Sequence, residues 1–462
     1  MRTILEQLKD QPSVDVLKPA LDKRRPADTD GHFETNGRGA NHTACTVNGS
    51  NADLEHFDSV VVGGGQAGLS TGGRLQALGV SYTILEANAE VGDNWRNRYD
   101  STKLHTVREF SHLPFERTFP DSYPEFLTRL HLAEAYKEWA KRYNINIKLS
   151  TKLLSGSWDA GLQAWDLLVS MGASQIPFMP EYANRESFKG TVVHSVAYKS
   201  AKDWAGKRGI VIGTANTAHD VAEDMLAARL VSVTMVQRSA TYVIPAEHYR
   251  ETHDRVYNAT NPTELADRLF FSGPSVLSKL MGTRALHAKA RAEPERFDAL
   301  ERAGFKLDRY GDITTYILER FGGHYMDVGA SAKISKGLIK MKSNAPPTGY
   351  TEDGLLFDDG SHLKADVIVF ATGFVGDMRW LAGKLFGPAV FEQLDEFWGL
   401  DDEGELKGAF KPSGHPAFWY HGGALGQARY YARFIALQIK AKVLGTPLPV
   451  YNDTPPRKVG LL

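Results

Sequence analysis

The residues Asp58-Ser59-Val60-Val61-Val62 show no alternation of apolar and polar positions. A short unbroken apolar run of this kind predicts a strand buried on both faces. Leu69 onward changes to a helical period, and a second short apolar strand follows at Tyr82-Thr83-Ile84-Leu85. From there strands and helical stretches alternate, the pattern of a parallel sheet covered by helices. The same opening recurs at Arg208-Gly209-Ile210-Val211-Ile212, with a helix from His219 to Ala228 and a strand at Val233-Thr234-Met235-Val236. A late buried strand, Ala365–Phe370, is expected to return to the first unit, and a helix from Gly426 to Lys442 to close it. In that helix Ala428, Tyr431, Phe434 and Ile435 are spaced as a core face. The stretch 250–340 has a mixed helical and loop pattern. Residues 1–55 hold few apolar positions after the first turns and read as a flexible arm.

Composition narrows the functional classes. The chain of 462 residues is 42% hydrophobic and 24% charged, a globular balance with enough apolar mass for more than one core. Its net charge of −1 gives no electrostatic footprint for nucleic acid. One cysteine, Cys45, excludes a disulfide or a dithiol redox pair within the chain and suggests a reducing compartment, hence a cytoplasmic protein. No apolar run approaches the ~20 residues of a membrane span, and the first residues lack a secretory core. The two Asn-x-Ser/Thr sites at Asn41 and Asn48 therefore read as chance matches, and Lys23-Arg24-Arg25 as a solvated linker. No histidine and carboxylate cluster has metal-ligand spacing, and no Gly-x-Ser-x-Gly elbow occurs.

The first strand runs into Gly63-Gly64-Gly65-Gln66-Ala67-Gly68. Strand before and helix after are the context in which G-x-G-x-x-G cradles a pyrophosphate. Gly63 makes the turn, Gly65 admits the phosphates, and Gly68 lets helix pack on strand. The helix N-terminus supplies N–H groups and a partial positive charge. Glu86 ends the next strand, where an acid accepts hydrogen bonds from a ribose. The second loop, Gly213-Thr214-Ala215-Asn216-Thr217-Ala218, has G-x-A-x-x-A, so Ala215 adds a methyl where phosphate approaches. After its next strand stands Arg238 in place of an acid, a choice that favours a 2′-phosphate and so NADPH over NADH. The expected fold is thus α/β with two Rossmann-like dinucleotide-binding domains, the second, NADPH-favouring domain inserted in the first. The boundaries expected are 1–55 for the arm, 56–198 with 341–462 for the first domain, and 199–340 for the NADPH domain with its helical insert.

Between the loops, Phe188-Lys189-Gly190-Thr191-Val192-Val193-His194-Ser195-Val196-Ala197-Tyr198 matches F-x-G-x-x-x-H-x-x-x-Y. With Gly92-Asp93-Asn94-Trp95-Arg96, Leu104-His105-Thr106 and Ala371-Thr372-Gly373-Phe374 in this order, residues 57–462 resemble the flavin-containing monooxygenases. The likeness is nearest the branch of plant indole-3-pyruvate monooxygenases and their fungal relatives. Related Baeyer–Villiger enzymes carry Trp where Tyr198 stands. The resemblance implies FAD and NADPH as cofactors, and a C4a-(hydro)peroxyflavin that passes one oxygen of dioxygen to a small organic substrate of N-, S- or α-keto-acid type. It implies that Gly63, Gly65, Gln66, Ala67, Gly68 and Glu86 hold the ADP half of FAD and that Trp95 and Arg96 line the cofactor. It further implies that Gly213, Ala215, Asn216, Ala218 and Arg238 hold NADPH, that Thr372 and Gly373 border the flavin unit, and that His105 is catalytic beside the flavin. His194 and Tyr198 would brace the hinge. A role in secondary metabolism follows only by family analogy; substrate identity and oligomeric state are not legible.

The chain departs from the family in one place. Gln163–Ser170 runs directly into Met171-Gly172-Ala173-Ser174-Gln175-Ile176-Pro177, so roughly 20 to 30 residues are absent against the family pattern, far more than a loop or strand of about 5. Either Trp165–Ser170 replaces the lost strand of the FAD sheet, or that sheet has a gap. The gap and Ala215 together define the alternative expectation, a degenerate, non-catalytic nucleotide-binding paralogue.

Overall fold

A computed structural model describes residues 55–170, 177–374 and 378–449. The chain opens with β1 (Ser59–Val62), α1 (Gln66–Ala77), β2 (Tyr82–Leu85), α2 (Asp93–Arg96), α3 (Arg129–Arg142) and β3 (Ile147–Lys148). Then come β4 (Lys152–Asp159), β5 (Ala164–Ser170), β6 (Thr191–His194), β7 (Arg208–Ile212), α4 (Asn216–Ala227), β8 (Ser232–Val236) and β9 (Thr241–Pro245). A helical stretch follows: α5 (Ala246–Asp254), α6 (Thr263–Phe271), α7 (Ser275–Ala292) and α8 (Pro294–Arg302). β10 (Leu307–Asp308), α9 (Ile313–Leu318), β11 (His324–Asp327), α10 (Ala330–Ser335) and β12 (Lys340–Lys342) lead to a meander of β13 (Pro347–Thr351), β14 (Gly354–Phe357) and β15 (His362–Lys364). The last elements are β16 (Val367–Phe370), α11 (Met378–Phe386), α12 (Pro388–Gln393) and α13 (Leu425–Val443). The arm expected over 1–55 lies outside the described residues apart from Glu55.

Of three parallel sheets among the described residues, β10-β9-β11 belongs to the helical stretch and the other two carry the glycine loops. The first has order β1-β2-β3, with Ser59 opposite Tyr82 and Val62 opposite Leu85. The second has order β12-β8-β7-β16-β6. Every pair in it is parallel, which needs crossover connections and buries both faces. Each sheet is followed at its first strand by a glycine turn and a helix, so the α/β expectation with two Rossmann-like units describes the chain.

The late strand corrects the sequence reading. β16 does not return to the first sheet; it lies between β6 and β7, with Val367 opposite both Thr191 and Gly209. Val367, Ile368, Val369 and Phe370 are all fully buried, and four consecutive buried apolar residues require sheet neighbours on both edges and cover on both faces. Boundaries at 199 and 340 therefore leave β6 and β16 outside the sheet to which they belong. The return to the first unit comes later, through α13, which packs on α1. Ala428 and Ile435 are buried in α13 as expected, but Phe434 is 39% exposed. A buried bidentate pair, Arg429 with Asp267, fixes α13 to α6 at 2.5 and 2.9 Å, and Arg429 also donates to the carbonyls of Phe110 and His112.

Trp165–Ser170 does not replace a strand of the first sheet. β5 pairs antiparallel with β4, its neighbour in sequence, around a turn in which Asp159 accepts from the N–H groups of Gly161 and Leu162. Local closure costs little entropy, and Trp165 anchors the hairpin elsewhere, donating to the Ala417 carbonyl at 2.9 Å and packing on Phe386 and His415. Among the described residues β1 keeps one sheet neighbour, β2, and Val62 is 56% exposed. Residues 171–176 lie outside the described residues.

Candidate functional site: two glycine loops and the contact between them

At the first loop Gly63 takes φ +98°, and its amide donates to the Leu85 carbonyl at 2.8 Å. A Cβ on Gly68 would lie 1.8 Å from the Gly63 carbonyl oxygen, so α1 approaches the turn as closely as only glycine allows. Gly65 is different. It is the residue before α1 in extended conformation, and a Cβ there would meet only Asn94 Nδ2 at 3.3 Å. It provides no side-chain cap to α1, so the first N–H groups of the helix are left for an anion. Glu86 is buried and accepts from Gly64 N at 2.6 Å through Oε2, and from Asn88 N and Nδ2 at 2.7 and 2.6 Å through Oε1. A carboxylate offers about four lone-pair sites, so capacity remains for ribose hydroxyls. Gln66 is turned away: its amide donates to the Leu425 carbonyl and accepts from Tyr136 Oη at 3.1 Å, joining α1 to α13 and α3. Ala67 lies beside it at the helix start. Trp95 stacks under Arg98, whose guanidinium carbon is 4.2 Å from the ring centroid. Arg96 faces acids, with Asp93 at 2.5 Å, Glu90 at 3.3 Å and Glu134 at 3.5 Å.

The second loop repeats the design with altered side chains. Gly213 takes φ +121°, and a Cβ there would lie 2.5 Å from the Ala371 carbonyl oxygen on the adjoining strand end. Ala215 precedes α4 in extended conformation, again without a capping side chain. Asn216 Oδ1 accepts from Met326 N at 2.8 Å, which pins the loop to the end of β11, and Ala218 is fully buried. Arg238 is exposed just beyond β8, and among the described residues it has no ion-pair partner. Its neighbour Gln237 is buried, donates to the Lys306 carbonyl at 2.8 Å and accepts from Lys306 N at 2.7 Å. Gln237 thus fixes the turn and leaves the guanidinium free to reach a phosphate.

His105 meets the second unit. Its Nε2 lies 3.2 Å from Asp220 Oδ1 on α4, while Tyr99 Oη donates to Asp220 Oδ2 at 2.7 Å. Burial disfavours charge on this imidazole, but the hydrogen bond and charge of Asp220 outweigh it and hold the pKa above the ordinary histidine value. His219, stacked on Tyr325 at 3.6 Å, is pushed the other way by burial, to about 3. The fingerprint residues lie at the crossing strands: His194 Nε2 is 3.1 Å from the Gly373 carbonyl oxygen, and Tyr198 donates to Asp224. Thr372 donates to the Phe178 carbonyl at 2.5 Å, and Phe178 N donates to that of Gly373 at 2.9 Å. These two residues tie the crossing segments together. Sequence reasoning missed Asp220, Tyr99, Asn88 and Gln237. For Asp220 the available signal was its place one turn into the helix after the second glycine loop.

A cavity of about 660 Å³ lies elsewhere, between α7, α9 and residues 398–407, with Leu280, Phe321 and Trp398 in its wall. No glycine-loop residue lines it. Among the described residues no group of His, Cys, Asp and Glu is placed to hold a metal, and no helix is long and apolar enough to cross a membrane.

Residues 60–252 match the family described as pyridine nucleotide-disulphide oxidoreductase, and residues 163–387 match flavin-binding monooxygenase-like proteins. Indole-3-pyruvate monooxygenase YUCCA1 of Oryza sativa subsp. japonica is 26% identical over 350 residues, 71% of this chain and 80% of that protein. A flavin-containing monooxygenase from Stenotrophomonas maltophilia superposes with TM-score 0.56 at 18% identity over 84% of this chain and 99% of the other. The protein OTEMO, solved with FAD and NADP, gives 0.52 at 17% over 70% and 73%. Glycine loops on two parallel sheets and these likenesses define a flavoprotein oxidoreductase with two nucleotide-binding folds. Within that class the likeness is to flavin-binding monooxygenases over residues 163–387, and FAD and NADP are the cofactors of the solved neighbour OTEMO. A single cysteine sets it apart from disulphide reductases of the same fold.

Proposed function

We propose that this protein is an NADPH-dependent flavin monooxygenase that oxygenates a small organic substrate. The observation that carries the reading is the pairing of two helix N-termini without capping side chains, each behind a glycine turn, with opposite chemistry at the next strand end. Glu86 follows the first, suited to ribose hydroxyls, and Arg238 follows the second, suited to a 2′-phosphate. Gly63, Gly65 and Gly68 with Glu86 would hold the ADP half of FAD; Gly213, Ala215, Asn216 and Arg238 would hold NADPH. The electron and oxygen chemistry belongs to the flavin once bound. The chain's own contribution is to orient: α13 and α3 hold α1 through Gln66, Asn88 and Gly64 hold Glu86, and Gln237 holds the turn that presents Arg238. His105 and Asp220 meet where the two units touch and hold a proton there. The name of the rice relative supports a 2-oxo acid as the substrate class, with soft nitrogen and sulfur nucleophiles as the other family chemistries.

A second reading, a nucleotide-binding protein without turnover, is favoured by the edge of β1 that has no neighbour among the described residues and by the Ala215 methyl. The visible spectrum of the freshly purified protein tests both. Near one oxidised flavin per chain, with NADPH consumption that rises with substrate and yields oxygenated product, supports the monooxygenase. A protein that stays colourless after incubation with FAD refutes it.

A further inference from the structure

Asp220 joins the two units through both of its oxygens, one to Tyr99 and one to His105. Tyr99 and Asp220 are buried, and the His105 side chain is 9% exposed. A carboxylate only accepts, so Nε2 of His105 carries the bonded proton and Nδ1 of the neutral ring is an acceptor. Nδ1 is buried and has no hydrogen-bond partner among the described residues. Buried polar atoms in native proteins are met by a partner, and here the adjoining element is the second glycine loop: Asn216 of that loop acts on the same ring. The other titratable neighbours are His219 and Glu223 on α4, with Glu223 paired to Lys333, and His324 and Tyr325 on β11. His219 and His324 are pushed down by burial, to about 3 and about 4, so of the three rings His105 is the one that takes up a proton first as pH falls.

We propose that Asp220 is a positioning residue: it clamps Tyr99 and His105 of the first unit onto α4 and fixes the imidazole with Nδ1 directed to a nucleotide at residues 213–218. A first-unit proton is thereby coupled to occupation of the second-unit loop. The nucleotide half of this statement rests on the assignment of that loop to NADP(H); the clamp itself does not.

The test uses the purified full-length protein labelled at histidine, with imidazole nitrogens followed by NMR from pH 5.5 to 9 and H105N identifying the signal. The expected result is an Nε2–H tautomer above the midpoint of His105, and a midpoint that falls by about one pH unit or more in D220N, an isosteric change that removes the charge. A predominant Nδ1–H tautomer in the unsubstituted protein, or an unmoved midpoint in D220N, overturns the clamp. NADP⁺ affinity is then measured from pH 6 to pH 8 in the three proteins, which share the titration of the ligand. Unsubstituted protein should lose about tenfold more affinity over this range than H105N or D220N. Equal pH dependence in all three overturns the coupling. If NADP⁺ binds to none of them while the NMR results hold, the clamp stands and the assignment of the loop to NADP(H) falls.

Discussion

At the scale of single residues, the two inner glycines of the first loop make opposite demands. Gly68 is needed by the fold, because a Cβ would lie 1.8 Å from the Gly63 carbonyl oxygen. Gly68→Ala should lower stability by about 1–3 kcal/mol through overpacking, seen as a shifted urea midpoint. Gly65 is needed by the ligand, since its φ of −76° suits any residue and a Cβ there would meet only the end of the Asn94 side chain, at 3.3 Å. Gly65→Val should keep the urea midpoint of flavin-free protein and lose bound FAD; unchanged flavin content would refute the first-loop assignment. Arg238→Ala should cost about 1.5–3 kcal/mol of NADPH binding, the worth of a charged hydrogen bond, and leave NADH unaffected. An unaltered ratio of the two would place the 2′-phosphate contact elsewhere. The turns at Gly63 and Gly213 and the close packing at Gly68 were legible because backbone geometry restricts these positions to few residue types. Asp220 was not, since its place one turn into the helix assigns it no role until its partners, from residues more than a hundred positions away, are brought to it.

At the scale of elements, α13 and α6 are joined by a pair with almost no solvent exposure, 1% for Arg429 and 0% for Asp267. Removing one partner strands the other charge, so Arg429→Met should destabilise by about 3–5 kcal/mol. The double variant with Asp267→Leu should recover part of that loss, measured by chemical denaturation; a double variant as unstable as the single one would mean the pair is not the source. The open edge of β1 has its own consequence. Relative to a flavin-containing monooxygenase with the longer segment, this protein should show a lower thermal midpoint and weaker flavin retention, because a strand with no second neighbour among the described residues leaves backbone groups and Val62 to water. Equal midpoints and equal flavin occupancy would sink that expectation. The elements themselves were legible from period and caps to within a few residues, as with β1, β2, β7 and β8. Sheet membership was not: Val367–Phe370 reads as a buried strand in any sheet, and only register shows which one.

At the scale of the whole molecule, buried neutral histidines make stability depend on pH. His219 and His253 are held at about 3 and about 4, chiefly by burial, below the ordinary value of about 6.5. The unfolded chain therefore binds protons that the folded one refuses. Stability is undiminished above about pH 6.5 and falls as pH drops toward 4, by up to about 1.4 kcal/mol per pH unit for each group. His105 acts in the opposite sense, as its pKa is raised. Thermal midpoints should thus decline from pH 7 to pH 5, and the decline should shrink in His253→Gln; a flat profile would contradict this account. By itself the sequence determined two openings of strand, glycine turn and helix, their order, and the different residues, Glu86 and Arg238, that stand after the next strands, because these rest on local geometry and on side chains a few positions from it. The tertiary structure alone decided that β16 completes the second sheet, that β5 folds back on β4 instead of covering β1, and that His105 meets Asp220 across the two units. These depend on contacts between segments far apart in the chain, which neither period nor spacing encodes.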